Sequence, residues 1–199
     1  MNVVYSKDLA VISIPKNEIL RYMRAREETD KILQVVSEAE KLVLDVATCR
    51  VCWTEVEIRK LSENSLTLGN IKIVSADLSK RLWGCNRAFV FAATVGVGVD
   101  RVIRSSEIKS TLLSLACDAA GSALVEAVCD IIDKELAEKA QKQEKQTSKR
   151  FSAGYGDLSL EYQRDICALL DTPRNIGASL TDGVMMAPSK TVTAIIGIK

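Results

Sequence analysis

The sequence predicts an α+β fold in one domain spanning residues 1–199: a mostly antiparallel or mixed sheet with flanking helices, one of them long and central. Three observations carry this. Helical and strand-like patterns follow the order α, α, β, β, β, α, β, with no regular βαβ alternation. The Gly69-Asn70 pair stands between two short aliphatic runs and marks a hairpin. From Ser106 to Gln143 an apolar stripe recurs at helical spacing over a longer stretch than anywhere else in the chain.

Taken in order, Ile12 to Ile14 is a short apolar stretch, and Pro15 can open a helix over Lys16 to Arg24, because its missing N–H would be unpaired there anyway. A second helix, Glu28 to Ala47, shows Ile32, Val36, Ala39, Val43 and Val46 at three- and four-residue steps. Thr48 to Ile58, Ser65 to Leu68 and Ile71 to Val74 read as strands, Asp77 to Trp83 as a short helix, and Arg87 to Thr94 as a buried strand. Thr94 to Gly98 is a tight turn opening a helix near Val99. It lacks the third glycine of a dinucleotide fingerprint and the lysine of a phosphate loop. In the long helix, Ile108, Leu112, Leu115, Ala119, Ala123, Ala127, Ile131 and Leu136 form the stripe. Its centre, Ala116 to Ala123, is built of small residues that let a backbone or a ligand come close. After Lys134 the chain is almost wholly charged and polar, so this part is expected to project into solvent. Ser159 caps a further helix, which Thr172-Pro173 ends. Ile176 to Met186 is mixed, and Thr191 to Ile198 is a last strand pairing within the sheet.

Composition narrows the chemistry. With 27 basic and 26 acidic side chains the net charge is +1, which gives no basic surface for nucleic acid. The longest apolar run, Phe89 to Val99, is too short to span a bilayer, and Met1 to Leu9 has no signal-peptide pattern, so a cytoplasmic protein without a membrane segment is expected. There is no histidine, which removes the usual general base and triad partner. Cys49 and Cys52 form a lone CxxC within a strand-like run, so buried free thiols are expected rather than a metal or redox site.

The stretch Arg150 to Asp157 attracts most attention. Gly154 and Gly156 allow positive φ or close approach, Arg150 offers a fork for a carboxylate, and Tyr155 offers a flat face with a polar tip. These residue types suit a ligand-facing loop, but on residue types alone an ordinary helix connection with Arg150 in solvent is favoured, because Gly-rich turns are common. Asp118, Ser122 and Glu126 recur every four residues on one face of the long helix, either solvated or turned to a site.

Arg150-Phe151-Ser152-Ala153-Gly154-Tyr155, a helix ending Ala168 to Asp171, Ile176 to Thr181, and Met185 to Pro188 leading to Thr191-Val192-Thr193 together resemble the activation (AdoMet-binding) domain of cobalamin-dependent methionine synthase. Pro15 to Arg26, Ala92 to Gly96 and Asp118 to Glu126 are similar to the matching blocks of stand-alone members, so the likeness covers most of the chain. It implies binding of S-adenosylmethionine (AdoMet) so that its methyl group reaches the cobalt of a cobalamin carried elsewhere, after a one-electron donor such as flavodoxin has reduced that cobalamin. Carried over, Arg150 would grip the AdoMet carboxylate, the backbone of Ser152, Ala153 and Gly154 would contact the ligand, and Tyr155 would lie near the adenosyl or corrin face. An acid on the long helix would bind the ammonium group: Glu126, with Asp118 and Ser122 as alternatives. For the family's second acid, Asp8 and Glu18 are the candidates. The sequence departs from the fused enzymes at Phe151 and Ala153, where they carry prolines, and it has no cobalamin signature. The resemblance therefore implies a module acting in trans on a methionine synthase. The alternatives are an activator of another corrinoid protein, or a scaffold of the same fold without ligand.

Overall fold

The computed structural model describes residues 3–11 and 13–199, so Ile12, at the start of the apolar stretch noted above, lies outside the described residues. Six strands form one antiparallel sheet: β1 (Tyr5–Asp8), β2 (Arg50–Ser62), β3 (Ser65–Leu68), β4 (Ile71–Val74), β5 (Arg87–Thr94) and β8 (Thr191–Ile198). The spatial order is β4-β3-β2-β5-β8. β2 is the spine, with β5 along Arg50–Glu57, β3 along Ile58–Ser62 and β1 on Arg50–Trp53. The predicted hairpin closes β3 onto β4 with Leu68 opposite Ile71. A second, two-stranded pair joins β6 (Ser179–Leu180) to β7 (Met186–Ala187).

Strand alternation sorts the core into two faces. Val51, Phe89, Phe91, Ala93, Ala194 and Ile196 meet α1 (Lys16–Met23), α2 (Asp30–Val46), α4 (Val97–Lys109) and α5 (Thr111–Gln141). Cys52, Val56, Val90, Ala92 and Ile195 meet α3 (Ala76–Arg81), α6 (Tyr162–Leu170) and α7 (Thr172–Ile176). The α+β architecture with one long central helix is the one the sequence predicted.

Some local expectations are corrected. The end of α5 does not project into solvent: Leu136 and Ala140 continue a four-residue step from Ile132 and are buried, so the charges cover only the outer face. β1 gave no sequence signal because its side chains are mostly exposed; it is held by pairing with β2 and by Tyr5 stacking on Trp53 at 5.5 Å. Ser159 sits three residues ahead of α6, accepting from the Glu161 N–H at 3.3 Å. Pro173 opens α7, after Asp171 has broken the chain with φ 44°.

The small-residue centre of α5 serves packing. A Cβ on Gly121 would lie 2.9 Å from Val99 Cγ1 and 3.2 Å from Lys190 Cγ, so α4 and the lysine stem both rest against the bare backbone. By length and composition α5 could cross a membrane, but 61% of its most apolar window is buried within the fold, as in a core helix. All six cysteines are free. Cys49 belongs to one core face and Cys52 to the other, so the CxxC thiols point apart; burial pushes them up to about 11 and about 12.

Candidate functional site

The site begins where the sheet runs out of partners. After α5, residues 146–151 turn back along the open edge of β8: Gln146 exchanges two hydrogen bonds with Lys199 (3.1 and 2.9 Å), Ser148 N–H donates to the Gly197 carbonyl at 2.9 Å, and Phe151 exchanges two with Ile195 (2.9 and 2.8 Å). The next position in that ladder would set residue 153 opposite Thr193. Instead the chain leaves the sheet. Gly154 adopts φ 89° and donates to the Leu158 carbonyl at 2.8 Å, a conformation that side chains with a Cβ resist. By the alternation of an antiparallel ladder, the Thr193 N–H and C=O point the same way as those of Ile195, away from β5. Among the described residues neither has a partner, although Thr193 is only 3% exposed.

A cleft of about 470 Å³ opens at this edge, within the range usual for small-molecule sites. β8 supplies Thr191, Val192 and Thr193 to it, α5 supplies Glu126, α6 supplies Gln163, α3 supplies Arg81, and the loop supplies Arg150 to Ala153 with Tyr155. Thr193 Oγ1 donates to Gln163 Oε1 at 2.7 Å, which fixes the amide and leaves its Nε2 free to donate.

Arg150 crosses from the loop to α5. Nη2 donates to Glu126 Oε2 at 2.5 Å, while Nη1 donates to Asp133 Oδ2 at 2.5 Å and Asp130 Oδ1 at 2.9 Å. Burial disfavours its charge, but the Asp130 and Asp133 hydrogen bonds outweigh this and hold the guanidinium above its ordinary range. Asp133 is pushed the other way for a carboxylate: burial raises it, and Arg150 only partly offsets the rise. Because a guanidinium stays charged at any neutral pH and the contacts are short, we take the pair as ionised. Three carboxylates around one arginine leave the α5 side of the cleft negative.

The far end of the loop is tied to α3. The Asp157 carboxylate accepts from Ser75 Oγ, from Ala76 N–H at 2.7 Å and from Asp77 N–H at 3.2 Å, and the Ser75 bond leads the effects that hold it below the usual carboxylate range. Asp77 Oδ2 accepts from Asp157 N–H in return at 3.2 Å. Between these anchors Tyr155 stands at the mouth, 68% exposed.

Of the site residues taken from the sequence, Arg150, Ser152, Ala153, Tyr155 and Glu126 line one cleft, and Gly154 shapes the turn beneath it. Asp118 and Ser122 lie farther up α5 and hold Lys190 instead, at 2.7 and 3.0 Å. Asp8 pairs with Arg50 and Glu18 with Arg21, and neither lines the cleft. Asp130, Asp133 and Gln163 are not among the residues read from the sequence, and Thr193 enters there only as part of the Thr191-Val192-Thr193 block. Asp130 carries a signal of its own, since it extends the four-residue row through Glu126. Among the described residues no cluster suits a metal ion.

No family model and no curated protein matches the sequence. Among solved structures, the chain superposes on the MetH reactivation domain bound to AdoHcy with a TM-score of 0.69, over 98% of this chain and 78% of that one. This is the fold of the MetH reactivation domain. At 14% identity the likeness speaks for the fold, and the reactivation-domain architecture matches in its curled antiparallel sheet and long central helix.

Proposed function

We propose that the chain is an S-adenosylmethionine-binding reactivation module that serves a cobalamin-carrying methionine synthase in trans, in the cytoplasm. The observation that carries the reading is the pairing of Arg150 with Glu126 in the lining of a ligand-sized cleft, in a fold whose solved counterpart binds AdoHcy. The chain's groups suit the ligand from both ends. Arg150 has five N–H donors and spends three on α5, so two remain for a carboxylate. Glu126 would take the ammonium group, and the negative α5 wall favours a sulfonium over a neutral sulfide. The unpartnered Thr193 main chain and the Gln163 amide supply donors and an acceptor for the edge of a base. When bound, AdoMet would supply an activated methyl group for a reduced corrinoid on the partner, leaving AdoHcy. The protein's share is to hold and orient the donor and to leave its methyl reachable at the open mouth beside Tyr155. That division of labour suits a chain without histidine.

Calorimetry with AdoMet and AdoHcy tests the ligand, with both expected to bind and AdoMet to bind more tightly. Absence of heat and of any thermal shift at millimolar ligand would leave a scaffold domain as the better reading. The partner is tested by adding the protein, a one-electron reductant and AdoMet to a methionine synthase lacking its own reactivation domain. Recovery of methyl transfer is expected. Recovery only with a different corrinoid protein would move the assignment to that enzyme.

A further inference from the structure

We infer that Asp133, with Asp130 as its outer partner, is a positioning residue that aims the Arg150 fork into the cleft; this rests on the AdoMet reading of the site. The geometry divides the three α5 carboxylates into two kinds. Glu126 lines the cleft, whereas Asp130 and Asp133 do not. They stand one and two turns farther along α5 and take both bonds of Nη1, at 2.9 and 2.5 Å. With Glu126 on one Nη2–H, the donors left over are Nε–H and the second Nη2–H; with Glu126 on the Nη2–H that faces Nη1, these two share one edge of the planar group and form the fork that takes a carboxylate side-on. A guanidinium pinned at Nη1 cannot turn about its own axis, so the free edge keeps a fixed aim.

Asp133 is suited to be the pin, and Asp130 is not sufficient. The Asp130 side chain is 74% exposed, so water competes for its bond. Asp133 is 29% exposed, and its second oxygen, Oδ1, is buried without a partner among the described residues. Within that set, Arg150 is the only group that satisfies this carboxylate, so swinging the guanidinium away would strand a part-buried charge. The dependence is therefore mutual.

Two measurements test this. In the ligand-free protein, ¹⁵N spectra of arginine side chains report rotation of the Arg150 guanidinium: hindered rotation is expected in the wild type, fast rotation in D133N, and restored hindrance in D133E. Calorimetry then compares AdoHcy with 5′-methylthioadenosine, which lacks the amino-acid head. D133N should weaken AdoHcy about tenfold, the scale of one charge-assisted hydrogen bond, while leaving methylthioadenosine unchanged, and D133E should recover part of the loss. Unchanged rotation in D133N, or equal weakening of both ligands, overturns the inference. If the wild type binds neither ligand, the AdoMet reading fails, and the spectra still decide whether Asp133 pins Arg150.

Discussion

Replacing Arg150 by alanine separates a ligand contact from a structural one, because the side chain is engaged on both sides. On the protein side it satisfies Asp133 and Glu126, which are 29% and 40% exposed, and Asp130, which is 74% exposed. A hydrogen bond to a charged group contributes about 1.5–3 kcal/mol when part-buried, and an exposed pair about 0–1 kcal/mol. Discounting Glu126 for its exposure, the loss is on the order of 2–4 kcal/mol, which for a chain of this size lowers Tm by roughly 5–15 °C. The three carboxylates left behind repel one another, so the deficit should shrink in high salt, which screens that repulsion. On the ligand side, losing one charged contact weakens AdoMet by roughly 10- to 150-fold. Arg150→Lys should recover part of the stability and little of the affinity, since an ammonium lacks the planar fork. Thermal melts at low and high salt and calorimetry on both variants provide the readout. A folded Arg150→Ala protein that binds AdoMet as tightly as the wild type would refute the assignment of this arginine.

Other outcomes follow from the same geometry. Gly154→Ala forces a Cβ into φ 89° and within 3.2 Å of Leu160 Cδ1, so it should cost about 1–2 kcal/mol in melts and weaken the ligand with it. Gly121→Val overpacks Val99 and the Lys190 stem and should destabilise by about 1–3 kcal/mol in denaturant titrations, leaving ligand affinity nearly unchanged in the folded fraction. Asp157→Ala removes the acceptor that ties the loop to Ser75, Ala76 and Asp77, so the 150–157 segment should become protease-sensitive and bind AdoHcy several-fold more weakly. The Cys49 and Cys52 thiols, raised to about 11 and about 12, stay protonated at pH 8.5 and should resist alkylation until the protein unfolds. Because the unfolded thiols ionise near pH 8.5–9 and the folded ones do not, stability from this source is complete below that range. It is lost as pH rises towards 11–12, which alkaline melts will show.

Much of this was legible in the sequence because it is periodic or local. β5 and β8 announce themselves as aliphatic runs, the Gly69-Asn70 turn fixes one hairpin, and Arg150 with Gly154 marks the loop. What stayed hidden depends on long-range pairing. Residues 146–149 look like the end of a charged helical tail, yet with Arg150 and Phe151 they form the partner of β8, because an edge strand accepts almost any side chain that offers a backbone. The site is a consequence of that pairing. The ladder stops at Phe151, which bares the Thr193 main chain, and Arg150, the residue just before, is delivered to α5 at the same point. No periodicity in the chain encodes that coincidence. The row Asp118, Ser122, Glu126 illustrates the limit: one spacing, on one helix, holds a lysine at its upper end and the arginine at its lower end. Continued by Asp130 and Asp133, the row holds the Arg150 guanidinium from behind while Glu126 alone of the three carboxylates lines the cleft, and this supports treating the lower end as the working part of the helix.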